Sequence, residues 1–338
     1  MATKKPNLLS LFSGAGGLDK GFKNAGFNIK VSNEIDKVTF ETYEKNFPTT
    51  RHIKGSIVNL IAEDIDEEFD GIIGGPPCQS WSEAGSQKGI NDPRGKLFFE
   101  YIRILNIVKP KFFLAENVSG ILHQKHAQAL QNITQKFADC GYKIKYELHD
   151  AVTHGVPQTR KRVFIVGIRN DINVDFKFPD IIKVEKQKTL FDAISDLPKS
   201  IPAREKNLTN FKFDKISTNE VANHEHMIGG FSTIFMSRNR VRSWDEPSFT
   251  IQAGGRHAPI HPDAPKMVKY GKNDFRFVKQ HLAKYRRLSV RECARVQTFP
   301  DDFVFYYKQV ANGYKMIGNA VPVLLAEVIA QEIKKQIF

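Results

Sequence analysis

Three cysteines, Cys78, Cys140 and Cys293, lie far apart in a chain of 338 residues. No Cys-x-x-Cys pair joins them, so a disulfide scaffold is not expected, and neither is a metal site. A lone cysteine is most often a small buried hydrophobe, and that reading suits Cys140 and Cys293. Cys78 differs by its context. It follows Gly74-Gly75-Pro76-Pro77 and precedes Gln79-Ser80-Trp81-Ser82, at the carboxyl end of the apolar run 70–74. The prolines restrict the backbone and aim the side chain. A nucleophilic thiolate needs such a fixed, accessible position and a lowered pKa. Two further groups could complete the centre. Glu116 ends the apolar run FFLAEN. A carboxylate there either acts or caps the next helix, and Asn117 or Ser119 can supply the cap. Arg160 and Arg162 lie in the cluster 158–162 (QTRKR). Residues two apart share one strand face. The bland alternative is a solvated edge strand with gatekeeper charges.

A second constellation suits a nucleoside. Phe12-Ser13-Gly14-Ala15-Gly16-Gly17-Leu18 closes the first apolar run, and Glu34 closes the second. Glycines let backbone approach a ligand at a helix N-terminus. A carboxylate about twenty residues on is suited to ribose hydroxyls. The dinucleotide pattern G-x-G-x-x-G would need glycine at position 19, where Asp19 stands. A nicotinamide dehydrogenase is therefore disfavoured.

The elements that must position these groups alternate in type. Buried-strand patterns cover 7–12, 27–33, 70–74, 111–116, 143–148 and 162–168. Helical patterns run from the glycine turn to Ala25, then over 37–46, 97–108 and 127–140. This rhythm predicts an α/β fold with a doubly wound, mostly parallel sheet, whose ligands bind outside the carboxyl ends of the strands. From about 179 to 285 the helical period fails, and Lys, Asn, Pro, Arg and His dominate. A smaller, loop-rich domain is expected there, inserted between 1–178 and 286–338. Helices return at 290–296 and from Val323.

Composition sets the outer limits. Charged residues make up 26% and hydrophobic ones 41%, which is ordinary for a globular protein. Fifty Lys and Arg against 37 Asp and Glu give a net charge of +13, a surplus that favours polyanions. The apolar run after Lys4-Lys5 is too short for a signal peptide. No stretch reads as a bilayer span, so a cytoplasmic protein is expected.

Seven motifs appear in a fixed order: FSGAGGL at Phe12, GGPPCQSWS at Gly74, DPRGKLF at Asp92, ENV at Glu116, QTRKR at Gln158, RRLSVRECARVQTFP at Arg286 and YKMIGNAVP at Tyr314. With them the chain resembles, over essentially its whole length, the cytosine-C5 DNA methyltransferases. The resemblance implies a Rossmann-like catalytic domain and S-adenosylmethionine as cofactor. Phe12 and Gly14, Ala15, Gly16, Gly17 and Leu18 would cradle it. Glu34 would take the ribose hydroxyls, and Ile35 would pack on adenine. Ser56 and Ile57 would meet the adenine edge. Pro76, Leu97, Asn319, Ala320 and Val321 would line the methionine side. Ser56 stands where the family commonly has Asp, Trp81 where Phe is usual, and Thr153-His154 where Asp-Tyr is usual.

The resemblance also implies the reaction. The Cys78 thiolate would add to C6 of a cytosine flipped out of duplex DNA. Glu116 would hold N3 and the exocyclic amine, and Arg162 the O2. Arg160 would support the loop or the target phosphate. Ser82 would touch DNA. The run 232–256 resembles the HaeIII-type members, whose target is GGCC. By that likeness Arg238, Arg240 and Arg256 would read guanines, since arginine suits the guanine O6/N7 edge; the alternative is that they hold phosphates. Ile234 would lie near the gap left by the flipped base. A bacterial monomer is expected, genetically paired with a restriction endonuclease. A tRNA cytosine-C5 methyltransferase and an inactive DNA-binding regulator stay open as alternatives.

Overall fold

The computed structural model describes residues 5–77, 93–180, 187–214 and 220–338. Cys78, Trp81 and Ser82 lie outside them. The first half builds one seven-stranded sheet. Its strands are β1 (Asn7–Leu11), β2 (Asn28–Glu34), β3 (Arg51–Lys54), β4 (Gly71–Gly74), β5 (Phe112–Val118), β6 (Tyr142–Asp150) and β7 (Lys161–Arg169). Between them run α1 (Gly17–Asn24), α2 (Phe40–Asn46), α3 (Pro93–Val108) and α4 (Ala127–Asp139). The sheet order is β3-β2-β1-β4-β5-β7-β6. Pairs from β3 to β5 are parallel, and β7 runs antiparallel to both its neighbours. Connection length explains that reversal. Only ten residues separate β6 from β7, too few for the helical crossover that a parallel pair requires.

Strand alternation sorts the core into two layers. Leu8, Ile73, Phe112 and Leu114 face one side, with Phe22 of α1. Leu9, Leu11, Ile72, Phe113 and Ala115 face the other, with Tyr101, Ile104 and Phe137 of α3 and α4. Residues one apart on a strand point to opposite faces, so both faces of these central strands are covered. Each fully buried Leu, Ile or Phe contributes about 1.5–3 kcal/mol.

The segment described from 187 to 285 carries little regular structure. It holds α5 (Leu190–Ile194), the short strands β8 (Ile201–Pro202) and β9 (Glu225–His226), and the hairpin β10 (Val268–Gly271) with β11 (Asp274–Arg276). Phe235, Val241, Ile260, Met267 and Tyr285 form a small core of their own. Residues 190–203 instead pack with α6 (Val290–Val296) and α7 (Val310–Asn319).

α8 (Val323–Ile337) returns to the sheet and packs on α1. A Cβ at Gly21 would stand 2.5 Å from the Ala326 Cβ, so only glycine permits that approach. The expectation that no stretch is apolar enough to span a bilayer needs correcting. Val310–Ile337 meets the length and composition, with mean hydropathy 1.4. It is two helices, α7 and α8, interrupted at Ala320-Val321-Pro322, and 67% of its apolar window is buried against this protein's own core.

Candidate functional site

A cavity of about 390 Å³ opens at the carboxyl ends of β1, β2, β4 and β5, facing α7. The turn after β1 supplies Phe12, Ser13, Gly14, Ala15, Gly17 and Leu18, and the end of β2 supplies Glu34 and Asp36. Gly75 and Pro77 follow β4, Glu116 lies near the carboxyl end of β5, and Asn319, Ala320 and Val321 close the wall. The turn after β1 is strained, with Phe12 at φ +55°. Gly16 sits at φ +88° behind the wall, where a Cβ would stand 2.3 Å from the Phe47 ring.

Glu34 holds the turn in place. Its Oε2 accepts from Gly14 N at 2.8 Å, and its Oε1 accepts from Ile35 N and Asp36 N, each at 2.8 Å. A carboxylate offers about four acceptor positions. Three are occupied by amides, which leaves one on Oε2 at the cavity.

The glycine missing from the dinucleotide pattern has a structural counterpart. Asp19 is fully buried in the first turn of α1. It accepts from Ser10 Oγ at 2.6 Å and Tyr43 Oη at 2.5 Å. Burial raises its pKa from 3.8 to about 6, against the lowering effect of these two hydroxyls. The folded state therefore keeps a proton that the unfolded chain releases. Stability from this group is present in acid and lost as pH rises through that window. Asp19→Asn removes the titration. Between about pH 4 and pH 7 the variant should gain roughly 3 kcal/mol relative to the parent. Urea unfolding across that range checks it, and a pH-independent difference overturns it.

The Glu116–Arg162 pair follows from sheet register. Glu116 on β5 lies opposite Phe164 of β7. Arg162 is two residues along, so it is a diagonal neighbour on the same face. Its Nε lies 2.7 Å from Glu116 Oε1, and both side chains are 14% exposed. Burial raises the Glu116 pKa, and the Arg162 and Arg160 charges oppose that rise.

Arg160 is held differently. It is 2% exposed, and it donates to the carbonyls of Ile251 at 2.8 Å, Gly318 at 2.8 Å and Ala320 at 2.9 Å. Burial, and then the Arg162 charge, lowers its pKa to about 9. Its guanidinium thus ties the start of β7 to the backbone at Ile251 and at the end of α7. Neighbours stitch the same seam. Gln158 donates to Gln297 at 2.9 Å and accepts from Ile251 N at 2.8 Å, while Thr159 N donates to Ser248 O at 3.0 Å.

Arg238, Arg240, Thr159 and His257 line a second cavity of about 430 Å³. Arg238 and Arg256 are exposed and make no hydrogen bond among the described residues, and Ile234 is 69% exposed. Arg240 is 7% exposed and commits Nε and one Nη to backbone carbonyls of its own segment.

Several predicted residues stay off the first cavity wall. Ile35 is 61% exposed. The Ser56 hydroxyl accepts from Val58 N, and Ile57 is buried in the core. Pro76 accepts from Asn117 Nδ2 at 3.2 Å, and Leu97 packs on the α3–α4 side of the sheet. The wall also contains Asp36 and Thr39, which lie outside the motifs, and Lys315 and Met316, which lie inside YKMIGNAVP but were given no role. Lys315 Nζ pairs with Asp36 Oδ2 at 2.6 Å. Lys315 is four residues before Asn319, one helical turn away on the same face. The helical geometry of α7 is what brings the two side chains to one face.

A family model described as C-5 cytosine-specific DNA methylase matches residues 7–335. The chain is 55% identical over 330 residues to Type II methyltransferase M.FnuDI of Fusobacterium nucleatum, covering 97% of this chain and 94% of that one. It is 54% identical over 331 residues to Type II methyltransferase M.MthTI of Methanothermobacter thermautotrophicus, covering 98% of each. Among solved structures, a candidate DNA modification methyltransferase encoded within an E. coli prophage superposes with TM-score 0.74 at 26% identity, covering 98% and 99% of the two chains. A Spodoptera frugiperda DNMT2 mutant, at 20% identity, shares the fold with TM-score 0.69, covering 98% and 100%.

Proposed function

This chain belongs to the C-5 cytosine-specific DNA methylases and is a DNA cytosine-C5 methyltransferase, and from that premise we propose that it is the modification enzyme of a Type II restriction–modification pair, methylating the inner cytosine of GGCC. The observation that carries the chemistry is the meeting of two sites in one cavity. The nucleoside-type turn with Glu34 lies on the same wall as Glu116, which Arg162 holds at 2.7 Å. The chain leads directly from Pro77 on that wall to Cys78.

The residues present fit S-adenosylmethionine. The cavity is of ligand size. Glu34 keeps one acceptor for a ribose hydroxyl, and a Cβ at Gly14 would meet nothing within 4 Å, so the wall is open there. When bound, the cofactor supplies the methyl group from its sulfonium.

Cytosine C5 is a poor nucleophile while the ring is aromatic. Addition of the Cys78 thiolate at C6 makes C4–C5 enamine-like and able to accept a methyl group. Glu116 holds N3 and the exocyclic amine as the ring gains electron density, and Arg162 holds O2 while keeping Glu116 oriented. A water then removes the C5 proton, and Cys78 leaves by elimination. A stacked base is out of reach, so the target is extruded, with residues 179–285 acting as the recognition domain. The exposed Arg238 and Arg256 read guanine edges, Ile234 faces the vacated gap, and Ser82 touches the strand.

The test is bisulfite sequencing of a plasmid expressing the gene, beside transfer assays on duplex DNA and tRNA. Protection of the inner cytosine at every GGCC is expected. Protection at another sequence overturns the target. Transfer to tRNA alone overturns the substrate class.

A further inference from the structure

The loop from Gly229 to Phe235 is built to be loose and is nevertheless pinned at both ends. It opens on two glycines, Gly229 at φ +106°, and a Cβ at either would meet nothing within 4 Å. Glycine backbone loses the most freedom on ordering, so neither packing nor sterics fixes this start. Arg287 does. It is 3% exposed, and its Nη1 and Nη2 donate to the carbonyls of Gly229 at 3.1 Å and Gly230 at 2.7 Å. Its guanidinium lies 4.1 Å from the Phe231 ring centre. At the far end, Arg240 Nε donates to Phe235 O at 2.8 Å and Nη2 to Ile234 O at 2.9 Å. It lies 4.8 Å from the Phe235 ring centre. The Phe231 and Phe235 rings pack 4.8 Å apart. Beyond the exposed glycines, the tip also stands outside: Ser232, Thr233 and Ile234 are exposed, while Phe235 is buried.

We propose that Arg287 and Arg240 are positioning residues that clamp this loop by its backbone and so hold Ile234 rigid as an aliphatic wedge for the duplex; this rests on the base-extrusion reading above. A side chain that enters a base stack must meet the cost of unstacking, a few kcal/mol per step. A floppy tip would lose much of that in ordering itself. The planar guanidinium fork can grip two successive carbonyls at once, which a lysine ammonium cannot do with fixed geometry. Arg240 then serves the recognition segment from within and does not read a base.

The experiment uses the full-length protein with Arg287→Ala, Arg287→Lys and Arg240→Ala, on two duplexes. One carries a paired target cytosine, the other a target opposite an abasic position, which is already unpaired and cheaper to extrude. Base extrusion is read by the fluorescence of 2-aminopurine at the target position, and transfer by single-turnover rates. Both alanine variants should lose about tenfold or more in extrusion and rate on the paired duplex and recover most of it on the unpaired one. Arg287→Lys should fall between. Cofactor binding should be unchanged, which also shows that each variant is folded. Equal losses on both duplexes, or none on either, overturn the clamp. So does relaxed sequence choice with normal extrusion in Arg240→Ala, which would make it a base reader. If the parent protein itself neither extrudes nor methylates a base, the underlying reading fails, and that outcome is distinct from a failure of the clamp.

Discussion

Cys78→Ser abolishes methyl transfer and leaves DNA and cofactor binding intact. The reason is ionisation. A cysteine thiol has a pKa near 8.5, so about a few per cent is thiolate at neutral pH before any help. Nearby arginine charge increases such a fraction, and Arg162 is the arginine proposed for that centre. A serine hydroxyl has no comparable ionised fraction to add to C6. Neither remaining cysteine can substitute. Cys293 is fully buried, and burial pushes its thiol well above the ordinary range. The Cys140 thiol follows α4, is also raised by burial, and lies against the Lys136 carbonyl at 3.1 Å. Single-turnover transfer beside equilibrium binding of duplex and cofactor checks this. A rate within about tenfold of the parent would remove Cys78 as nucleophile.

Glu116→Gln lowers the transfer rate by about 10²–10⁴-fold, the range of a positioned acid–base group, with little loss of affinity. A glutamine amide can still meet N3 with its NH₂ and the exocyclic amine with its carbonyl, so binding survives. It cannot shift a proton or carry charge as the ring gains electron density. The carboxyl is suited to that task by opposing influences: burial raises its pKa while the Arg162 and Arg160 charges oppose the rise. The variant also leaves Arg162 without its carboxylate partner at 2.7 Å. Rates at saturating cofactor and DNA separate the two effects. An unchanged rate would remove Glu116 from the chemistry, and a loss confined to affinity would make it a binding group.

The groups with distinctive chemistry were legible because they end buried apolar runs. β1, β2, β4 and β5 show as such runs, so Phe12, Glu34 and Glu116 could be placed at strand ends before any geometry was known. β3 was not legible, because its residues Arg51–Lys54 form a half-exposed edge with no apolar alternation. α7 was hidden by Asn312, Gly313, Gly318 and Asn319, poor helix formers in a helix held by the burial of Val310, Tyr314, Met316 and Ile317 in the core. Missing α7 also hid Lys315, whose place on the cavity wall depends on that helix.

By itself, the sequence determined the fold class, the order of the motifs and the residue types that could act. Those depend on local pattern, meaning apolar periodicity, glycine and proline at turns, and charged groups at strand ends. The partners of each group were decided by the tertiary structure. Arg160, Arg162 and Arg240 are the same kind of side chain in sequence. Only packing makes the first a buried brace on three carbonyls, the second a partner of Glu116 and the third a tie on Ile234 and Phe235. Asp19, which in sequence only broke a dinucleotide motif, becomes a buried acceptor for Ser10 and Tyr43. The physical reason is common to all of them. A buried polar group must find hydrogen-bond partners, and those lie up to 160 positions away in the chain, where no local pattern reaches.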